Sequence, residues 1–68
     1  MNPSPNPKFR TGEFVTKTGT GYSGPGIVVT VFEGLDHHWR YVVMHRIDGG
    51  QGEFYHIYRE GQLATREV

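Results

Sequence analysis

Glycine punctuates this chain, standing at position 12, at 19, 21, 24 and 26, at 34, at 49, 50 and 52, and at 61. Between these points lie short runs of valine, isoleucine and aromatic residues. In none of them do apolar residues recur with the 3.6-residue period of a buried helix face. A helix through Thr20–Gly26 would have to accommodate Gly21, Gly24, Pro25 and Gly26, at a combined cost of about 6 kcal/mol. The chain is therefore read as all-β. A first strand runs from Gly12 into a turn at Gly19, and Ile27–Phe32 is the strongest β segment, dense in β-branched side chains. Glu33–His38 reads as a turn, Trp39–His45 as the next strand, and Asp48–Gly52 as a hairpin turn. Glu53–Tyr58 follows as a fourth strand, and Arg59–Leu63 as a short turn or 3-10 piece carrying Leu63 into the core. Short strands at this spacing fit a small, strongly bent barrel.

At 68 residues there is material for one small domain, and with no cysteine there is neither a disulfide staple nor a thiolate metal site. Aromatic and β-branched packing, or burial in an oligomer, has to supply the stability. Pro3, Pro5 and Pro7 alternate with polar residues, so residues 1–11 read as a disordered arm. The barrel is placed at residues 12–64 and a tail at 65–68. Seven acidic and seven basic residues cancel, which disfavours a dedicated nucleic-acid binder. No apolar run approaches the roughly 18 residues of a membrane span, and a cytoplasmic protein is expected.

The fourth strand, Glu53-Phe54-Tyr55-His56-Ile57-Tyr58, divides its side chains between two faces. Tyr55 and Ile57 are expected to fill the core, which would present Phe54, His56 and Tyr58 outward as a binding surface. In the second strand Ile27, Val29 and Val31 lie on one face, while Val28 and Phe32 on the other are apolar too. In the third, Tyr41 and Val43 oppose Val42 and Met44. Outward apolar rows on adjacent strands form a patch that favours self-association. Strong barrel curvature that uses both faces is the alternative.

The motifs that could carry chemistry are sparse. His37, His38, His45 and His56 follow no metal-ligand spacing, so no metal site is expected. Ser4 and Ser23 lack a nucleophile-elbow setting, and the glycine loop lacks the Gly-x-x-x-x-Gly-Lys-Ser/Thr pattern of a phosphate cradle. Tyr22, the one large side chain in that loop, is expected to fold back over the core. Trp39, Arg40 and Arg46, with Lys17 and Tyr22, could form a basic and aromatic surface for single-stranded nucleic acid.

Taken in order, Gly12-Glu13-x-Val15-x-Lys17, Tyr22-x-Gly24, Gly26-Ile27-Val28-Val29, Arg40-Tyr41-Val42-Val43, Tyr55-His56-Ile57-Tyr58 and Leu63 form a recognisable series. It resembles the type II dihydrofolate reductases, the plasmid- and integron-borne trimethoprim-resistance enzymes. It is similar, more closely still, to small proteins of proteobacteria and their phages. The resemblance spans about residues 8–64 and implies a five-stranded SH3-like barrel. In the reductases four barrels surround a pore that binds NADPH and folate. Lys17, Ile57 and Tyr58 match functional positions of that family, and His56 stands where it has glutamine. Tyr22 replaces its loop tryptophan, and Tyr55 its valine. Four imidazoles around one axis would repel one another when protonated, whereas glutamine amides stay neutral. The expectation is therefore a self-associating binding or accessory protein, a dimer or tetramer, encoded on a mobile element or a bacterial genome. It would need no cofactor and carry a ligand site at Lys17, His56, Ile57 and Tyr58. The alternatives are NADPH and folate binding or reduction in an oligomeric pore, and single-stranded nucleic-acid binding.

Overall fold

The computed structural model describes residues 6–47, 50 and 52–66. Five strands, β1 (Phe14–Lys17), β2 (Gly24–Glu33), β3 (Trp39–Arg46), β4 (Glu53–Arg59) and β5 (Leu63–Thr65), form one antiparallel sheet in the order β4-β3-β2-β1-β5. A 3-10 turn, Glu60–Gln62, carries the chain from β4 across to β5, which pairs with β1. This is the five-stranded SH3-like barrel expected from the sequence, and no helix among the described residues is long and apolar enough to cross a membrane.

The turns use the chemistry their sequences offer. Gln62 Oε1 accepts from the Arg59 amide at 2.9 Å and closes the 3-10 turn. Between β2 and β3 the chain reverses through Gly34–His38, where His37 takes a left-handed φ of 66°. Gly26 is needed for a different reason. A Cβ there would lie 2.5 Å from Val43 Cγ1 and 2.9 Å from the Met44 carbonyl oxygen. Its bare backbone lets β2 approach β3 at the inner face.

Phe9, Val15, Val28, Tyr41, Val43, Tyr58 and Leu63 form the core, with Val31 and Trp39 packed against it. On β2 the inward residues Val28 and Val31 are three apart, which an unbroken strand would not allow. The register shifts between Val28 and Thr30, so Val29 is the extra residue of a bulge. This irregularity is why β2 is apolar on both sides.

Three expectations are corrected here. On β4 it is Tyr58 that is buried, while Tyr55 and Ile57 are 57% and 53% exposed. The register explains it: Tyr58, His56 and Phe54 stand opposite Tyr41, Val43 and His45, and cross-strand partners share a face. Both faces of β4 are apolar in sequence, so only the pairing decides which one turns inward. The N-terminal segment also differs from a free arm. Residues 1–5 lie outside the described residues, but Phe9 is fully buried, edge-on to Tyr41 at 5.4 Å. The Lys8 and Phe9 amides donate to the Tyr41 hydroxyl at 2.9 and 3.4 Å, and that hydroxyl donates to Glu60. At the other end β5 reaches Thr65, and the Arg66 amide donates to the Phe14 carbonyl at 3.2 Å, so the barrel runs past residue 64.

Candidate functional site

At one mouth of the barrel the inward side chains of β1, β3 and β4 meet the loop before β2. His45 is fully buried on β3. Its Nδ1 lies 2.8 Å from the Pro25 carbonyl and its Nε2 2.9 Å from the Tyr58 hydroxyl. A carbonyl can only accept, so Nδ1 carries the hydrogen and Nε2 accepts from Tyr58. Burial, and then the neighbouring Tyr22, push the Tyr58 hydroxyl above its ordinary value, which keeps it a donor.

Aromatic rings surround this pair. Phe54 stacks on His45 at 5.0 Å, and Tyr22 sets its edge against both, at 4.8 Å from His45 and 5.3 Å from Phe54. Tyr22 does fold back as a cover, although it remains 46% exposed. His56 stacks on Tyr58 with centroids 4.6 Å apart and planes at 27°. It is exposed, and its Nδ1–H donates to the Ile57 carbonyl at 2.9 Å.

Lys17 reaches the same cluster from β1, its Nζ 5.8 Å from the centre of the Tyr58 ring. The side chain is 4% exposed, and the ammonium donates to the carbonyls of Thr18 at 2.6 Å and Thr20 at 2.9 Å. Two of its three donors therefore serve the chain itself. The mouth thus gathers Lys17, His56 and Tyr58 and leaves out Ile57, which points to the opposite side of the sheet. Its chemistry is that of stacking faces and one open imidazole edge.

The residues considered for nucleic acid are dispersed. Trp39 packs against the core from the inner face, while Arg40 and Arg46 face outward at opposite ends of β3. Six residue steps of strand separate the two arginines by roughly 20 Å. Arg40 is held by Asp36, 2.7 Å away in the β2–β3 turn. That hydrogen bond, helped by the His38 amide, holds the Asp36 carboxyl down at about 2. No group of three or more metal-ligating side chains occurs among the described residues.

Sequence reasoning missed His45 as the centre of the cluster. Its alternation with Tyr41 and Val43 was the available signal, since the three share one face of β3. No known family, curated protein or solved structure matches this chain.

Proposed function

We propose that this chain is a self-associating binding module, a small barrel that buries the outer face of its sheet against further copies of itself. The observation that carries the reading is an apolar row across four strands. Phe14 on β1 pairs with Ile27 on β2, Ile27 with Met44 on β3, and Met44 with Tyr55 on β4. All four face outward, and Val42 and Ile57 form a second outward pair beside them. Phe14 is 48% exposed, in addition to the open Tyr55 and Ile57. The row ends at β4, which has a neighbour on one side alone. An open edge that carries its acidic and basic residues only at its ends, Glu53 and Arg59, is a template for another strand. The chain has no net charge to oppose its own association. A standard contact of about 800 Å² per partner would take roughly a sixth of the 5025 Å² surface.

Sedimentation velocity from micromolar to hundreds of micromolar tests the reading. The wild type is expected to run as a dimer or a dimer of dimers, and Ile57→Lys and Tyr55→Lys as folded monomers. A wild type that stays monomeric throughout overturns it.

The meeting of Lys17, His56 and Tyr58 at one mouth favours a second reading, in which a flat ligand such as NADPH or a folate stacks there. Titration with NADPH and dihydrofolate should then shift the His56 and Tyr58 resonances in a saturable way, and NADPH oxidation in the same samples tests for reduction. Shifts absent at millimolar ligand would remove this reading and leave the first intact.

A further inference from the structure

Beyond this association, the outer side of the sheet holds a groove of about 310 Å³ near the ends of β1 and β2. Its floor is the register-matched trio Phe14, Ile27 and Met44, its wall is Tyr22 and Pro25, and Arg46 and Arg66 stand on its rim. The two arginines arrive from different elements. Arg46 ends β3, and Arg66 follows β5, pinned beside the floor by the bond from its amide to the Phe14 carbonyl. Both are exposed. Among the described residues the ion pairs are His37–Glu33 and Arg40–Asp36, so neither rim guanidinium is paired with a carboxylate there. Glu53 stands opposite Arg46 in the β3–β4 register without forming an ion pair.

An apolar floor with two guanidinium groups at its edge is complementary to a ligand that is apolar at one end and anionic at the other. Guanidinium forks match the planar, two-oxygen geometry of a carboxylate. The volume lies at the small end of ligand clefts, about 300–1,000 Å³, which suits one or two fused rings or a short alkyl chain. We propose that this groove binds a small amphipathic carboxylate. Its ring or chain lies on Phe14, Ile27 and Met44, and its carboxylate is held between Arg46 and Arg66.

The test is an NMR titration of the full chain with 2-naphthoate and, separately, with the neutral isostere 2-naphthamide. Naphthoate should give saturable shifts at the Phe14 ring, Ile27 and the Met44 methyl, with His56 and Tyr58 unmoved. Naphthamide should bind about tenfold more weakly, as expected when hydrogen bonds to a charged group are lost. Arg46→Gln and Arg66→Gln should each weaken naphthoate by about the same factor and leave naphthamide unaffected. Both arginines are exposed, so the variants are expected to keep the wild-type fold, checked by their amide spectra. Equal binding of the two compounds, arginine variants that bind naphthoate like wild type, shifts confined to the mouth, or no shifts at millimolar ligand would each overturn the proposal. Phe14, Ile27 and Met44 also belong to the row that association would cover, so ligand and association compete. Naphthoate is therefore titrated into dilute protein that sedimentation shows to be monomeric, and the oligomer is read separately at high concentration.

Discussion

The buried imidazole of His45 is fixed in one tautomer by what stands on either side of it. Because the Pro25 carbonyl takes the Nδ1 hydrogen, Nε2 depends on Tyr58 for its donor among the described residues. Tyr58→Phe should leave that acceptor unsatisfied in a buried site and cost about 1–3 kcal/mol in urea denaturation. A variant as stable as wild type would mean that the bond contributes nothing. Tyr41 makes a prediction with a definite sign in pH. Burial, and then the hydrogen bond to Glu60, push its hydroxyl up to about 12 from 10.0. The folded chain therefore keeps a proton that the unfolded chain releases. Its stability contribution is complete below about pH 10 and falls as pH climbs toward about 12. Denaturation midpoints measured across that window should decline, and Tyr41→Phe should flatten the decline. Parallel slopes for the two proteins would assign the alkaline sensitivity to other groups.

At the scale of the element, β2 combines a close approach with an irregularity. Gly26→Ala would drive a methyl group into Val43 and the Met44 backbone, and overpacking of this kind costs about 1–3 kcal/mol. Circular dichroism melts would register it, and an unchanged melting temperature would show that β2 and β3 can separate freely. The N-terminal segment belongs to the barrel by the same reasoning. Phe9→Ala removes a fully buried ring from against Tyr41 and should cost about 3–5 kcal/mol, whereas deleting residues 1–5 tests the chain before it separately. A loss under about 1 kcal/mol for Phe9→Ala would return the segment to a loosely held arm. These elements also mark what was legible in sequence. β3, β4, the middle of β2 and the 3-10 piece follow from local chemistry, so they could be read in order. Residues 24–26, read as loop, join β2 through its pairing with β1, and Ala64 and Thr65, read at the barrel's end and in the tail, join β5. The turn expected at 48–52 lies largely outside the described residues. The inward face of β4 could not be, since Phe54 and Tyr58 compete with Tyr55 and Ile57 on nearly equal terms and the register with β3 decides. Phe9 was hidden by the prolines before it, because its burial depends on Tyr41 and Glu60 far along the chain. Of the mouth, Lys17, Tyr58 and His56 were legible from their order in the sequence. For His45 the alternation with Tyr41 and Val43 signalled an inward position, but its partners, Pro25 on β2 and Tyr58 on β4, could not be read along the chain.

Over the whole molecule, stability and assembly become one quantity if the outer face is covered by another copy. Among the described residues the core contains seven buried apolar ones, while several large apolar side chains stay outside it, among them Phe14, Tyr55 and Ile57. A chain of this size obtains a limited margin from its own core, and association adds to that margin by mass action. The folded form alone presents the Phe14–Ile27–Met44–Tyr55 row as a continuous surface, because that row exists only when four strands are in register. Association therefore draws on the native state and not on the unfolded chain. It follows that the melting temperature should rise with protein concentration, by several degrees across a hundredfold range for a domain this small. Ile57→Lys should lose that dependence. Because Ile57 is already half exposed on the outer side of β4, the variant should melt close to the wild type at its most dilute. Differential scanning fluorimetry across that range, with sedimentation on the same samples, separates the outcomes. If both proteins melt at one temperature regardless of concentration, the outer row is solvent-facing surface in the functional protein, and the barrel stands on its own core.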